Sequence, residues 1–189
     1  IPYDYKDRWI YAVTPDAKAT VIDAIRDTAW VGGPGLFTAN FASDDRVYFV
    51  SERTGYAHLY TVPFTGGRAT PVTSGRWEVD EVVLSPDRQT FWITTSETHP
   101  GERAVYTVPV AGGARTRITS GTGAHQVTIS PDEQWLATVY SEADKPWELY
   151  LMRNQPNAQL AQLTTSPSAE FRSYQWLKPA IVEIPASDG

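Results

Sequence analysis

The chain has 189 residues, with sixteen Lys and Arg against twenty-two Asp and Glu, three His and no Cys. A net charge of −6 gives no basic face for sequence-independent nucleic-acid binding, which needs clustered cations on the phosphates. The missing Cys excludes a disulfide scaffold, a thiol nucleophile and any Cys-based zinc or iron–sulfur site, and the apolar runs are far shorter than a membrane span.

In chain order, Arg8 to Val13 is the first aromatic and β-branched run, and Ala19 to Ile22 follows as the last strand of a partial unit. Asp23 to Thr28 reads equally as a helical turn or a loop. Gly32-Gly33-Pro34-Gly35 is a loop, since no βαβ unit surrounds it. A repeat then takes over. Leu59-Tyr60-Thr61-Val62-Pro63 recurs 46 residues later as Val105-Tyr106-Thr107-Val108-Pro109, as do Gly66-Gly67 at Gly112-Gly113 and Thr73-Ser74-Gly75 at Thr119-Ser120-Gly121. Ser85-Pro86-Asp87 returns at Ser130-Pro131-Asp132 after 45 residues, with Ser43-Asp44-Asp45 as a weaker upstream counterpart. Leu149 to Met152 and Thr164-Thr165-Ser166 extend the pattern into a third copy.

Each copy reads as four short strands. In the middle one these are Glu81 to Leu84, Phe91 to Thr95, Val105 to Val110 and Arg115 to Thr119, separated by Pro, Gly and Asp turns. Four strands in roughly 40–50 residues is the spacing of a β-propeller blade. The expected fold is therefore all-β: a partial β-propeller of four-stranded antiparallel blades, about three full blades plus partial ones. The blades are expected over residues 1–178 and a linker over 179–189, with Trp176 to Ile184 read as another blade's opening strand or a run leaving the propeller. Propellers usually close with about four to eight blades, so this arc implies a longer polypeptide or a partner that completes the ring. The ends agree with that expectation: Ile1-Pro2 opens without an initiator Met or signal-peptide pattern, and Ser187-Asp188-Gly189 is a turn signal with nothing after it.

No catalytic apparatus is visible. The chain has no G-x-S-x-G elbow, no paired His of a zincin helix, no Walker A motif and no G-x-G-x-x-G. No cofactor or metal is expected. His58 reads as an imidazole hydrogen-bonded between blades, His99 as a solvated loop residue and His125 as part of a connection between blades. Asp87 and Asp132 read as turn formers, because calcium needs six or more oxygen ligands and no local acidic cluster supplies them. The seven Trp and ten Tyr read as packing and rim residues rather than a ligand cage.

Two motifs stand apart. Ser51-Glu52-Arg53-Thr54-Gly55-Tyr56-Ala57-His58-Leu59-Tyr60 joins two strands through a charged pair, a Gly turn and a His. Thr73-Ser74-Gly75-Arg76-Trp77-Glu78-Val79 leaves that blade and enters the next. Neither holds a nucleophile. Glu52, Arg53, Gly55, Tyr56, His58, Trp77 and Glu78 read as a hydrogen-bonded interblade structure involving His58 and Glu78, with direct ligand contact as the alternative.

With Trp176-Leu177-Lys178-Pro179-Ala180-Ile181-Val182-Glu183-Ile184, these stretches resemble the β-propeller of the prolyl oligopeptidase (S9) family of serine peptidases, nearest its dipeptidyl peptidase IV branch. Family members carry a similar Ser-Glu-x-x-Gly-Tyr-x-His-Leu-Tyr stretch, then Thr-x-Gly-x-Trp-Glu-Val, then a Trp-x-x-Pro-Glu-Ile-Val-like run before an α/β-hydrolase domain. Ala180 stands where Glu is common. The resemblance implies a Ser-Asp-His hydrolase domain outside this chain, and a propeller that gates and orients peptide substrates for it. It also implies as partners the rest of the ring, the hydrolase domain and a peptide substrate, and leaves homo-oligomerisation and a periplasmic or cytoplasmic location open. In the dipeptidyl peptidase branch an adjacent Glu pair binds the substrate's α-ammonium, and this chain contains no Glu-Glu. The branch's vertebrate members present an aromatic and a basic side chain from the loop matching Trp30 to Gly35, where Gly33, Pro34 and Gly35 offer neither. No substrate-binding residue is carried over.

Two further readings compete. One is a TolB-like or scaffold propeller that binds a protein or peptide on one face. The other, a propeller enzyme with a cofactor in its own channel, is disfavoured by the missing metal-ligand cluster.

Overall fold

Fourteen short strands and one helical turn make up the regular structure of residues 2–180, 182 and 184–187, the part of the chain that this computed structural model describes. The first sheet pairs β1 (Asp7–Val13) with β2 (Ala19–Arg26). Three four-stranded antiparallel meanders follow. The second sheet holds β3 (Asn40–Phe41), β4 (Arg46–Ser51), β5 (His58–Pro63) and β6 (Thr70–Pro71). The third holds β7 (Val79–Leu84), β8 (Thr90–Thr95), β9 (Ala104–Pro109) and β10 (Thr116–Arg117). The fourth holds β11 (Ala124–Ile129), β12 (Trp135–Glu142), β13 (Lys145–Arg153) and β14 (Ala161–Gln162). The all-β, bladed plan read from the repeat is the observed one, and no sheet closes on itself.

Three readings are corrected. Asp23 to Arg26 is neither helical turn nor loop but the second half of β2. The register slips opposite Ile10/Tyr11, so that Ile22 and Asp23 both turn inward, and this bulge breaks the alternation that identifies a strand. His125 lies within β11, paired with Tyr140 of β12, rather than in a connection. Of the two readings of Trp176 to Ile184, the opening strand of another blade is the one corrected: no strand forms among its described residues, with Ile181 and Glu183 lying outside them. Instead a short helix, α1 (Ala169–Ser173), precedes it, capped by Ser168 Oγ accepting from the Phe171 amide at 3.0 Å.

The inner strands of the second and third sheets are buried on both faces, and their period of two sorts side chains between neighbouring sheets. Along β4, Val47 and Phe49 point toward the first sheet and join Ala12, Ile22, Tyr60 and Val62. Tyr48 and Val50 point the other way and join Leu59, Phe91, Ile93 and Val108 across the second and third sheets. Ile118 of the third sheet's exit packs with Leu136 and Met152 of the fourth. Burying each such side chain stabilises by about 1.5–3 kcal/mol, so face-to-face sheet packing carries the arc.

The repeated polar residues repeat their bonds. Ser43, Ser85 and Ser130 each donate to an Asp two residues on, at 2.5, 2.5 and 2.6 Å. Asp87 and Asp132 then accept from the amides of Gln89 and Gln134 at 3.0 and 3.1 Å, closing the turns as Asx side chains do. The Ser hydroxyls hold both carboxyl groups below the usual carboxylate range. At each sheet's exit a Thr hydroxyl accepts the amide of a third-strand residue: Leu59 to Thr73 at 3.0 Å, Val105 to Thr119 at 2.9 Å and Leu149 to Thr164 at 2.9 Å.

Candidate functional site

The first motif forms the β4–β5 hairpin and the second forms the passage from β6 to β7. They meet at His58, the first residue of β5, which is 1% exposed. Its Nε2 lies 3.0 Å from the Gly75 carbonyl and its Nδ1 lies 3.1 Å from Thr73 Oγ1. A carbonyl only accepts, so Nε2 carries the proton and donates to it. Nδ1 then accepts from the Thr73 hydroxyl, whose oxygen already accepts the Leu59 amide. The imidazole is therefore bonded within its own blade and that blade's exit, not between blades as its sequence context suggests, and both committed nitrogens leave no lone pair for a substrate proton.

Trp77 meets the His58 ring edge-on, with centroids 4.9 Å apart and planes at 88°. Gly75 lets this happen: a Cβ there would fall 2.0 Å from Trp77 Nε1, and its φ of +148° suits no other residue well. The Arg115 guanidinium lies over the indole, 4.7 Å from the ring centroid, and is clamped by Glu97 at 2.6 and 3.1 Å. Sequence-adjacent Glu78 is half-buried, and its amide donates to Ser96 Oγ at 3.0 Å. The bond from this stretch that crosses between blades runs from the Val79 amide to the Ala57 carbonyl, at 2.8 Å.

The hairpin's charged pair splits. Arg53 turns toward the first sheet, where its Nη2 lies 2.7 Å from both Asp23 oxygens and its Nε donates to Ser51 Oγ at 3.2 Å. Its guanidinium lies over Tyr60 at 4.8 Å and Phe49 at 5.3 Å. Glu52 turns the other way, against the loop from Trp30 to Gly35, where a Cβ on Gly33 (φ +72°) would fall 1.8 Å from its Oε1. Burial pushes the Glu52 carboxyl up, the negative charge of Glu78 adds to this, and nearby Arg8 opposes it. Gly55 completes the turn with φ +91°, its amide donating to the Glu52 carbonyl at 2.8 Å, and Tyr56 is half-buried beside it.

Asp23 and Arg8 belong to this site and were missed by the sequence reading. Arg8 is 5% exposed, and its Nη1 donates to the carbonyls of Gly35 and Val50, each at 2.8 Å. Its Nη2 faces Asp23 Oδ2 at 3.9 Å. One buried carboxylate therefore faces two guanidinium groups, from β1 and from the β4–β5 hairpin, and ties the first sheet to the second. The available signal was an acid inside a β-rich run, Val21-Ile22-Asp23-Ala24-Ile25.

A cavity of about 510 Å³ opens between these sheets, walled by Asp23, Arg53, Thr54, His58, Tyr60 and the exit segment to Gly75. Arg68 and Ser74 are exposed polar side chains on its rim. Most of the wall's charges and hydrogen-bonding atoms are already paired with one another. Such a wall shapes a space, and its paired groups supply no free base beside a nucleophile. Among the described residues, no group of three or more His, Cys, Asp or Glu is arranged to hold a metal ion.

With that geometry in view, comparisons place the chain among known proteins. Residues 4–147 match the family described as the dipeptidyl peptidase IV (DPP IV) N-terminal region. A probable dipeptidyl peptidase 4 of Aspergillus flavus is 36% identical over 64 residues, covering 32% of this chain and 8% of the relative. Prolyl endopeptidase FAP of Mus musculus is 27% identical over 105 residues, covering 54% of this chain and 14% of the relative. Among solved structures, Porphyromonas gingivalis dipeptidyl peptidase 4 aligns with a TM-score of 0.72 at 22% identity, over 89% of this chain and 24% of that one. That likeness shows a common fold, and the chain spans only a small part of each relative's length. The family match covers well over half of the sequence, and the chain belongs to the dipeptidyl peptidase IV N-terminal region family.

Proposed function

We propose that this chain is a gating segment of the propeller of an S9-family serine exopeptidase, of dipeptidyl- or acylaminoacyl-peptidase type. Residues 1–178 cap and orient peptide substrates, and residues 179–189 lead toward an α/β-hydrolase domain. There a Ser attacks the scissile carbonyl, a His takes its proton, and an Asp orients that His. Family membership is the observation that carries this reading. The site's chemistry supports the same division of labour. His58 has both nitrogens committed, and Arg53 is paired with Asp23, so the motif serves as architecture for a substrate passage.

The test is an assay of the full-length protein on X-Pro, X-Ala and N-acylated chromogenic peptides, with fluorophosphonate labelling mapped by mass spectrometry. Hydrolysis of at least one class, with the label outside residues 1–189, is expected. Absence of both hydrolysis and labelling, or a label on a serine within these residues, overturns the proposal.

A further inference from the structure

After α1 the chain turns back along the β12–β13 hairpin. Trp176 stacks on Phe171, with centroids 4.5 Å apart, and its Nε1 donates to the Phe171 carbonyl at 3.0 Å. Two residues further on, Lys178 Nζ donates to Glu142 Oε2 at 3.1 Å. Among the described residues, this is the hydrogen-bonded ion pair that joins the segment 174–180 to the fourth blade. Every residue from 174 to 180 is solvent-exposed.

The two partners are unequally held. Glu142 ends β12 and also accepts from Lys145 Nζ at 2.6 Å, Tyr140 Oη at 2.8 Å and Thr122 Oγ1 at 3.4 Å. Those bonds come from β12, β13 and the passage before β11, so the carboxylate stays in place without Lys178. The hydrogen bond from Lys145 leads the causes that bring the Glu142 pKa down to about 2. Lys178, by contrast, has a side chain 63% exposed on an irregular segment. Beside it, Pro179 and Ala180 line an open cavity of about 290 Å³ together with Gly101, Thr122, Gly123 and Ala143.

We propose that residues 174–180 form a strap latched to the fourth blade by the Lys178–Glu142 pair, with the anion preset and the cation releasable, and that opening the latch removes the wall of the cavity that Pro179 and Ala180 supply. The blade itself does not change when the latch opens, because Glu142 keeps its Lys145, Tyr140 and Thr122 bonds. The cation of this pair is exposed although the Glu142 side chain is largely buried, and an exposed cation is screened by salt. The strap is therefore held lightly enough to exchange between closed and open forms under ordinary conditions.

Limited chymotrypsin cleavage of the full-length protein at the Trp176–Leu177 bond, with Lys178→Gln and Lys178→Arg variants at low salt, tests this. Each rate is taken relative to that of a free peptide of the same sequence under the same conditions, because cleavage tracks the open population. Lys178→Gln is expected to speed this cleavage by about two- to five-fold, with cleavage within β12 and β13 unchanged and Lys178→Arg close to the parent. Raising the salt concentration of the parent protein should reproduce the Gln effect. Unchanged cleavage at Trp176–Leu177 in Lys178→Gln overturns the latch. So does a parallel rise within β12 and β13, which makes the pair part of the blade's own stability.

Discussion

Glu148 occupies in the fourth blade the place that His58 holds in the second. Each precedes the residue whose amide binds the repeated Thr, and each ties the third strand to its blade's exit. His58 does so through Thr73 and Gly75, whereas Glu148 accepts from Thr164 Oγ1, the Ser166 amide at 2.5 Å and Ser166 Oγ at 2.6 Å. The same fastening is thus made by a neutral ring in one blade and a carboxylate in another. The third blade has Ala104 at this point and keeps only the Thr119 bond.

This difference predicts different acid sensitivity. The Ser166 and Thr164 hydrogen bonds hold the Glu148 carboxyl below the usual carboxylate range. A depressed carboxyl pKa contributes stability above the unfolded value of about 4.3, and that contribution is lost as pH falls through the folded value. Glu148→Gln should therefore lose less stability than the parent protein on acidification from about pH 5 to about pH 3. Urea unfolding midpoints at the two pH values measure it, and equal losses would count against a charged fastening.

His125 should dominate a higher pH window. It is 2% exposed, its Nδ1 faces Thr138 Oγ1 at 3.2 Å, and its ring stacks on Tyr140 at 4.3 Å. Burial lowers its pKa to about 4. Between that value and the ordinary one near 6.5, the unfolded chain binds a proton that the folded chain refuses. Stability then rises with pH through this interval and falls on acidification, by up to about 3 kcal/mol in all. His125→Phe, which keeps a ring against Tyr140, should flatten the fall between about pH 6.5 and pH 4.5. Parallel stability–pH curves for variant and parent would remove His125 from this role.

How much of this was legible in the sequence depends on which residues repeat. Thr73, Thr119 and Thr164 were visible as landmarks at one lag, and so were the Ser-Pro-Asp turns; the structure gives each of them the same bond. Leu59, Phe91 and Val105 lie in runs that the repeat marks as strands, and all three are buried; those runs are apolar on both faces, so the repeat rather than alternation located them. Asp23 was not legible, because the bulge at Ile22 removes the alternation and the residues bound by its partner Arg8, Gly35 and Val50, lie 27 and 42 positions away in sequence. His125 was misread for a related reason. Its strand mixes Gln126 and Thr128 with Val127 and Ile129, and its burial comes from the neighbouring strand's Tyr140 rather than from local pattern. Pairing across strands is not encoded in any one window.

Gly75 should tolerate little. Gly75→Ala places a methyl group against the Trp77 indole and forces an unfavourable φ. Such backbone conflicts cost about 1–3 kcal/mol each. Displacing Trp77 also loosens its contacts with His58 and Arg115. The expected result is a lowered melting temperature with a shifted tryptophan emission, whereas Gly55→Ala, whose Cβ meets nothing within 4 Å, should cost less. Equal effects of the two substitutions would show that the Trp77 contact is not what Gly75 protects.

The Asp23–Arg53 pair joins the first sheet to the second through residues 30 positions apart. The Asp23 side chain is 7% exposed and that of Arg53 is 26% exposed, so the pair is shielded from the solvent that weakens surface bridges. Asp23 also faces Arg8, whose side chain is 6% exposed. Removing the carboxylate therefore leaves a buried cation without its partner, a change that costs about 3–5 kcal/mol. Removing Arg53 alone leaves Asp23 with Arg8 still beside it. Asp23→Asn should thus destabilise the protein more than Arg53→Met. The double variant should fall short of the sum of the two, with a coupling energy of about 0.5–3 kcal/mol. Denaturant unfolding of the four proteins closes the cycle. Additive losses would mean that the first sheet is held to the second by the Ala12, Ile22 and Phe49 packing rather than by the ion pair, and a larger loss from Arg53→Met would mean that Arg8 does not depend on the Asp23 carboxylate.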